Sequence, residues 1–379
     1  MERLLRHQMG VGASDLHLRA GSSPLLRNSG DIKPIEGEGP ISGEYLLAMV
    51  QSIMPEEVRR EYAETGDADF AHEIEGVGRF RVNAFRDRLG PGVVARSIPT
   101  RIVSAEELGL SAEVRALSQL TKGLVLVTGP TGSGKSTTLS ALVDLVNTTR
   151  KDHIITIEDP IEFVHPSKAC LVTQRQVGSH TRGFKQALRA ALREDPDVVL
   201  VGELRDLETV AIAIETAETG HLVFGTLHTS TAASTVDRII DQFAPDRQSQ
   251  VRVMLSESLK GVVSQTLCRK IGGGRVAAME ILLVTPALSN LIREGKTFQM
   301  TSIMQTSKKL GMVTMVDALV TLVEKGLVEP QEAYLKAPDK PGMIQQLKQR
   351  GFDTSFAESE SSSGNGAQAG TRTPVGTRR

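Results

Sequence analysis

The chain has 379 residues and a formal net charge of −1, with 40% hydrophobic and 23% charged residues. At roughly 150 residues per domain, this length predicts two or three domains that can each bury a core. The composition excludes a largely disordered chain, and the balanced charge gives no overall positive field for a polyanion such as nucleic acid. Two cysteines, Cys170 and Cys268, are too few for a disulfide framework or a four-thiolate zinc site.

The N-terminal segment 1–20 mixes charged residues into its apolar ones, which is not the pattern of a signal peptide. No apolar run approaches the roughly 20 residues that a membrane-spanning helix needs. We therefore expect a soluble cytoplasmic protein of a reducing compartment, without direct insertion into a membrane.

Residues 1–98 carry the pattern of short antiparallel strands with at least one helix. Apolar and polar residues alternate at 15–19 and 79–84, and Asn28-Ser29-Gly30 is typical of a turn. Apolar residues three and four apart within 44–54 predict an amphipathic helix that ends before Pro55. The following segment, 99–112, has no sustained period and is predicted to be a linker.

Residues 113–285 carry a different pattern, in which continuous apolar runs alternate with helical periodicity. Such runs are typical of parallel strands buried on both faces, and they lie at 124–127, 154–157, 198–201 and 222–227. The alternation of strand and helix predicts an α/β fold with a doubly wound parallel sheet.

The chain after about Ser249 is predicted to be mainly helical up to about Gly351, with one possible strand near 278–284. Residues 286–352 form the predicted C-terminal helical region. The last segment, 353–379, contains no Leu, Ile or Met and is rich in Ser, Gly and Thr, so we predict a disordered tail.

A phosphate-binding loop is the strongest signal in the sequence. The run Gly129-Pro130-Thr131-Gly132-Ser133-Gly134-Lys135-Ser136 fits G-x-x-x-x-G-K-[ST] between a predicted strand and a predicted helix. Its glycines let backbone N–H groups approach phosphate oxygens, and the helix N-terminus adds positive potential. Lys135 is expected to reach the β and γ phosphates, Ser136 to offer a hydroxyl to Mg²⁺, and Thr137 to lie near the α phosphate. The pattern predicts ATP and Mg²⁺ as ligands.

Glu203 follows the apolar strand at 198–201, and doubly wound sheets bind their ligands at the carboxyl ends of strands. One interpretation is a carboxylate that orients the attacking water and helps to hold Mg²⁺. The other is an ordinary strand-end residue in a salt bridge with Arg205. The phosphate loop upstream favours the first.

Two further segments place polar residues at strand ends. Glu158-Asp159-Pro160-Ile161-Glu162 follows one strand, where carboxylates either hold water and metal near a nucleotide or cap a solvated turn. His221 and His228 bracket another strand, and His228 is at its carboxyl end. His228 is therefore a candidate γ-phosphate sensor, although a lone histidine in a strand is often only a satisfied polar residue.

Arginines cluster in the first domain at positions 79, 81, 86, 88 and 96. An arginine from this domain or from a neighbouring chain could reach the phosphates as an arginine finger. The same residues also suit the outward positions of half-buried strands, and the sequence does not choose among them.

Five ordered segments match a known family: 13–18 (Ala-Ser-Asp-Leu-His-Leu), the phosphate loop 129–137, the acidic box 157–162, the strand with its acidic end 195–206 and the histidine box 219–229. Over about residues 1–350 the chain resembles the type II/IV secretion and pilus ATPases, and within them the PilT family of type IV pilus retraction ATPases.

The resemblance implies an N-terminal α+β PAS-like domain, a RecA-like P-loop ATPase domain and a homohexameric ring. ATP would bind between the two domains, and their rotation would drive pilus retraction, and hence twitching motility, through an inner-membrane platform protein. The ring would be cytoplasmic, peripheral to the inner membrane at the pilus base. The family's catalytic glutamates fall on Glu203 and Glu162, its histidine box on His221 and His228, and its arginine fingers on Arg81 and Arg96.

The sequence leaves other functions open. The lack of a four-cysteine zinc insertion favours the retraction branch over the extension branch, but an accessory, PilU-like paralogue that works with another pilus ATPase is an alternative. A RecA-like nucleic-acid motor is a further alternative. It should carry a basic surface with stacking aromatics, whereas this chain has no Trp, 3 Tyr and a net charge of −1, so we expect no nucleic-acid partner. A regulatory subunit that hydrolyses little nucleotide is the third.

Overall fold

The computed structural model describes residues 1–28, 31–98 and 101–357. The chain divides into two compact units, one of residues 1–108 and 140–202 and the other of residues 109–139 and 203 onward. Ser29 and Gly30 of the predicted turn, and residues 358–379 of the predicted tail, lie outside the described residues.

The first unit begins with an antiparallel sheet, as the alternating pattern predicts, and with three helices, where the sequence predicts at least one. Its elements are α1 (Glu2–Gly10), β1 (Asp15–Arg19), β2 (Leu25–Asn28), β3 (Asp31–Pro34), α2 (Gly43–Gln51), α3 (Glu56–Thr65), β4 (Ala68–Ile74), β5 (Gly78–Asp87) and β6 (Gly90–Ile98). The six strands lie in the order β3-β2-β1-β6-β5-β4. Inward-facing residues of β1 and β5, among them Leu16, Leu18, Phe80 and Val82, are buried with the helices in one hydrophobic core.

In helix α2 the local sequence determines both where the helix begins and which face it buries. The Ser42 side chain accepts a hydrogen bond from the N–H of Tyr45, so the helix starts with a satisfied N-terminus. Leu46, Met49 and Val50 are its buried residues, which confirms the predicted amphipathic face.

Strands and helices alternate through the next part of the chain. These elements are α4 (Ala112–Ala116), β7 (Gly123–Thr128), α5 (Lys135–Thr149), β8 (His153–Glu158), β9 (Leu171–Gln176), α6 (Phe184–Ala191), β10 (Val198–Val201), α7 (Leu207–Glu218), β11 (Leu222–Leu227), α8 (Ala232–Ile240), α9 (Pro245–Ser258), β12 (Leu259–Arg269) and β13 (Arg275–Leu283). The four apolar runs predicted as strands are β7, β8, β10 and β11, and all residues of β7, β10 and β11 are buried.

Parallel pairing dominates both units in this part of the chain. In the first unit β8 pairs in parallel with β10 and with β9. In the second unit β7 pairs in parallel with β11 on one side and with β12 on the other, while β13 is antiparallel to β12. The predicted α/β alternation is therefore confirmed, although β9 was not predicted.

The prediction of a mainly helical chain after Ser249 is wrong for 259–269, whereas the possible strand predicted near 278–284 is present as part of β13. Strand β12 begins directly after α9 and runs for 11 residues, and β13 runs for 9 residues from Arg275, so the two form a hairpin. Polar residues such as Ser264 and Gln265 stand at buried positions of β12, and they interrupt the apolar run that would mark a strand.

The remaining elements are helices, apart from single 3₁₀ turns. They are α10 (Pro286–Glu294), α11 (Met300–Thr306), α12 (Met315–Glu324), α13 (Pro330–Lys336) and α14 (Lys340–Gln349). Buried residues of the last three helices, such as Leu319, Ala333 and Leu347, share a core with Cys268 and Ala278 of the hairpin. Across the described ranges, none of the helices combines the length and apolarity that a bilayer crossing requires.

Candidate active site

The predicted phosphate loop occupies the turn between β7 and α5. Gly129 has φ 142° and Gly134 has φ 90°, a backbone region that favours glycine. A Cβ atom at Gly129 would also collide with the carbonyl oxygen of Gln265, so this position admits no side chain. The sequence pattern therefore folds into the conformation that its glycines allow.

The polar groups of the loop suit a polyphosphate. Lys135 Nζ, at the first residue of α5, donates to the carbonyl oxygens of Gly129 at 2.9 Å and Pro130 at 3.2 Å. Ser133 Oγ is buried and has no hydrogen-bond partner in the described part of the chain, and a phosphate oxygen would accept its proton. Thr131, Gly132 and Ser136 are exposed, while Gly134 and Thr137 are half-buried. All predicted loop residues thus lie in one turn and the helix start that follows it.

Glu203 is held by two cationic or proton-donating side chains. Arg205 Nε lies 2.6 Å and His228 Nε2 lies 3.0 Å from Glu203 Oε1. Desolvation opposes ionisation of Glu203, but the hydrogen bond from Arg205 and the charges of Arg205 and His228 outweigh it, so its pKa lies below the ordinary value. The structure therefore contains the Arg205 salt bridge and, in addition, a contact with the predicted sensor histidine.

The two predicted histidines lie at opposite ends of β11. His228 directly follows the strand and contacts Glu203, and its side chain is 44% exposed. Because an ionised carboxylate can only accept, Nε2 of His228 carries the proton in this pair. His221 precedes the strand, and its Nδ1 lies 3.1 Å from the carbonyl oxygen of Thr216, a contact within the turn after α7. The geometry thus brings His228, and not His221, to Glu203.

The acidic box lies in the first unit. Glu158 Oε1 accepts from Thr156 Oγ1 at 2.7 Å and from Gln174 Nε2 at 3.1 Å, and desolvation raises its pKa. Glu162 is half-buried in the loop after β8. Its negative charge is one of the causes that raise the pKa of Arg81, after the larger effect of the hydrogen bond with Asp69.

Both predicted arginine fingers have carboxylate partners within the first unit. Arg81 Nη2 lies 2.6 Å from Asp69 Oδ2, and both side chains are partly exposed. Arg96 Nε lies 2.7 Å from Asp15 Oδ1, where the Asp15 side chain is 4% exposed and that of Arg96 is 67% exposed. Each guanidinium therefore needs to leave or share its carboxylate to reach a phosphate.

The sequence did not reveal two buried polar residues of the hairpin. Gln265 on β12 contacts the phosphate loop through Ser133. Glu280 on β13 accepts from the N–H of Ala232 at 2.6 Å and from that of Met315 at 3.0 Å, the first residues of α8 and α12. Desolvation raises the pKa of Glu280 despite these two bonds. The sequence signal that could have identified Gln265 and Glu280 is a polar residue inside an otherwise apolar segment.

Within the ranges that the structure describes, no group of three or more His, Cys, Asp or Glu side chains is arranged to hold a metal ion. Mg²⁺ bound with a nucleotide does not need such a group, because phosphate oxygens and water supply most of its ligands. The exposed hydroxyl of Ser136 and the ionised carboxylate of Glu203 are oxygen donors of the kind that it prefers.

Comparison with known proteins agrees with the site. Residues 66–273, more than half of the chain, match the type II/IV secretion system protein family. The chain belongs to this family. It is 54% identical to the type IV pilus retraction ATPase PilT of Pseudomonas aeruginosa PAO1 over 88% of this chain and 97% of that protein. The type IV pilus ATPase PilU of the same strain is 41% identical over 89% of this chain and 88% of that protein.

A solved structure shares the fold of this chain. The crystal structure of the pilus retraction motor PilT with bound ADP matches it with a TM-score of 0.85 at 46% identity, over 90% of this chain and 98% of that one. The predicted family, the α/β fold class and the ATPase class of enzyme are confirmed. The PAS-like character of the N-terminal domain, the domain boundaries and the roles of individual site residues stay predictions.

Proposed function

We propose that this chain is the ATP-hydrolysing motor that retracts type IV pili and so supports twitching motility. The observation that carries the proposal is the presence of a complete phosphate loop and of the Glu203–His228 pair in a chain 54% identical to a pilus retraction ATPase. The lower identity to PilU, 41%, makes the accessory paralogue the less supported alternative.

The phosphate loop would bind ATP through its backbone amides. Lys135 would exchange its contacts with the Gly129 and Pro130 carbonyl oxygens for the β and γ phosphates, which are stronger partners for an ammonium group. Ser133 Oγ would gain the partner that it lacks within the described chain. Mg²⁺, held by Ser136, by Glu203 and by phosphate oxygens, would supply positive charge that neutralises the β and γ phosphates.

Glu203 is the residue that we propose as acceptor for the proton of the attacking water. The water oxygen bonds to the γ phosphorus, the bond from that phosphorus to ADP breaks, and the water proton passes to the carboxylate. The lowered pKa of Glu203 keeps it ionised, as a base must be at neutral pH.

Three further predicted residues would act in the assembled ring. Glu162 would assist in ordering water, and Arg81 or Arg96 would offset the charge that develops on the phosphates. We propose the domain boundaries at 98, 112, 285 and 352 and a homohexameric ring in which ATP lies between the N-terminal and ATPase domains. Its partners would be an inner-membrane platform protein and a paralogous pilus ATPase, at the cytoplasmic side of the inner membrane.

Two measurements test the function. Purified protein should hydrolyse ATP with Mg²⁺, and Lys135→Ala should abolish turnover, whereas Lys122→Ala, an exposed lysine just before β7, should not. Deletion of the gene in its host should give excess surface pili with loss of surface motility, restored by the unmodified gene and not by Lys135→Ala. Missing pili would instead indicate assembly, and hydrolysis only in the presence of a paralogue would indicate the accessory role.

A further inference from the structure

Strand β12 passes directly beneath the phosphate loop. Its Ser264 pairs with Thr128, the last residue of β7, and the carbonyl oxygen of Gln265 occupies the space that a Cβ of Gly129 would need. The backbone of β12 therefore touches the first residue of the loop. This contact places the side chain of Gln265 next to the loop interior.

The carboxamide of Gln265 connects the loop to α5. It is 2% exposed, its Nε2 donates to the carbonyl oxygen of Ser133 at 2.7 Å, and its Oε1 accepts from Thr138 Oγ1 at 2.9 Å. The orientation of this amide group is defined by chemistry, because a carbonyl oxygen can only accept and must face the NH₂ group. Gln265 thus satisfies both ends of its carboxamide within the phosphate loop and its helix.

The bond to Ser133 has a consequence for the peptide that follows it. In a trans peptide the C=O and the N–H of one unit point in opposite directions. When the Ser133 carbonyl oxygen faces Gln265, the N–H of Gly134 therefore points away from Gln265. This is the orientation in which an amide of such a loop can donate to a phosphate oxygen.

We propose that Gln265 is a positioning residue for the nucleotide: it holds the Ser133–Gly134 peptide so that the Gly134 amide faces the polyphosphate. The inference rests on the proposed function in one respect, namely that a nucleotide binds at this loop. The inference goes beyond the proposed function because it assigns a nucleotide-binding determinant to β12, a strand that follows the phosphate loop by more than 120 positions.

The test compares Gln265→Met with Thr138→Val by calorimetric titration with ADP in Mg²⁺ buffer. Both substitutions remove a buried hydrogen bond of the same carboxamide, but only the first releases Ser133. We expect Gln265→Met to weaken ADP binding about tenfold or more, which is the loss of one hydrogen bond to a charged ligand. Thr138→Val should bind within about twofold of the unmodified chain, and circular dichroism verifies the fold of both.

A second variant keeps the test decisive if Gln265→Met does not fold. Gln265→Glu retains the acceptor for Thr138, and the introduced carboxyl group can donate to Ser133 only when it is protonated. ADP affinity relative to the unmodified chain should therefore be low at about pH 8 and recover at about pH 6, because burial raises the pKa of a carboxyl group. A merely structural role predicts no such recovery.

The possible results distinguish a failure of the Gln265 proposal from a failure of the proposed function. If the unmodified chain binds ADP and Gln265→Met binds equally well, or Thr138→Val loses as much affinity, Gln265 does not position the nucleotide. If the unmodified chain itself takes up no ADP, the proposed function fails and this inference fails with it.

Discussion

His228 Nε2 lies 3.0 Å from Glu203 Oε1, so the predicted sensor histidine and the predicted catalytic carboxylate form one hydrogen-bonded pair. Each residue lies just beyond the carboxyl end of a buried strand, the position at which α/β sheets bind ligands. The hydrogen bond links the ionised carboxylate of Glu203 to His228, which lies on a separate loop. Its two members, and Arg205 beside them, can be tested separately.

Replacement of Glu203 by Gln keeps the shape of the side chain and removes its negative charge. We expect kcat for ATP hydrolysis to fall by about 100-fold or more, the usual contribution of a general base, while ADP affinity changes by less than about threefold. Phosphate release and calorimetric titration measure the two quantities. Glu218→Gln, an exposed carboxylate at the end of α7, is the control. Unchanged turnover in Glu203→Gln would remove Glu203 from the reaction.

Arg205 and His228 both contact Glu203, and replacing each residue in turn separates their contributions to kcat. If His228 senses the phosphate, His228→Gln should lower kcat by about tenfold or more. Arg205→Gln should lower it by no more than about threefold, because the Arg205 side chain is 71% exposed and exposed ion pairs contribute little. Steady-state hydrolysis at saturating ATP measures both, and the reverse order of effects would make the salt bridge the functional contact.

The same Arg205→Gln variant has a predictable pH dependence. Arg205 lowers the pKa of Glu203, so its loss should move that pKa upward toward the ordinary carboxyl value. As the pH falls, the carboxylate of the variant is then protonated earlier, and kcat should begin to decline at a higher pH than in the unmodified chain. The pH profile of kcat checks this shift, which a purely structural effect of the substitution would not produce.

Much of the fold follows from residue patterns. Continuous apolar runs predict β7, β8, β10 and β11 because these strands are buried and lined almost entirely by hydrophobic side chains. The sequence does not predict strand β12, because the polar residues Ser264 and Gln265 at its buried positions interrupt the apolar run. Both side chains have polar partners there, since Ser264 Oγ lies 2.8 Å from Thr128 Oγ1 and Gln265 Nε2 donates to the carbonyl oxygen of Ser133.

The site is predictable where a motif carries the chemistry and unpredictable where tertiary contacts do. The glycine spacing suffices to place Lys135 and the loop, because the backbone conformation is encoded locally. Arg96 illustrates the opposite case: its partner Asp15 is 81 positions away, and only the pairing of β1 with β6 brings them opposite each other. Glu280 likewise has partners that lie on two distant helices.

The Asp15–Arg96 pair should stabilise the first unit. Desolvation opposes ionisation of Asp15, but its hydrogen bonds with Arg96 and Ser14 outweigh it, so its pKa is lowered in the folded chain. Asp15→Asn should therefore reduce the free energy of unfolding at neutral pH by about 1–2 kcal/mol, an amount limited by the exposure of Arg96. Urea unfolding followed by circular dichroism suits a chain without Trp.

The stability difference should depend on pH with a defined sign. Because the folded pKa of Asp15 is lowered, its contribution is present above the unfolded value of about 3.9 and is lost as the pH falls through the folded value. The gap between the unmodified chain and Asp15→Asn should thus narrow when the pH falls below about 4. A gap that is constant with pH would show that the substitution acts by packing and not by charge.

Arg96 can be tested as an arginine finger with the same partner as control. Arg96→Gln and Asp15→Asn both break the ion pair, so both should lose stability. Only Arg96→Gln removes the guanidinium, so only this variant should lose about tenfold or more in kcat if Arg96 offsets phosphate charge. Equal losses of kcat in the two variants would assign Arg96 to the fold alone, and would leave Arg81 as the remaining candidate of the predicted pair.

Glu280 should stabilise the second unit by holding two helices at once. Its Oε1 accepts from the N–H of Ala232 at 2.6 Å and its Oε2 accepts from that of Met315 at 3.0 Å. Both N–H groups belong to first turns, which have no partners within their own helices. A carboxylate can accept at both oxygens, whereas a carboxamide can accept at only one.

Glu280→Gln should therefore leave one buried N–H without an acceptor and facing an NH₂ group. The expected loss in the free energy of unfolding is about 1–3 kcal/mol, the usual cost of a buried unsatisfied group. Urea unfolding measures it, and Glu257→Gln on the exposed side of α9 should change stability by less than about 0.5 kcal/mol. Since α8 begins shortly after His228, the substitution should also lower kcat more than it lowers ADP affinity. Stability equal to that of the unmodified chain would show that Glu280 does not clamp the two helices.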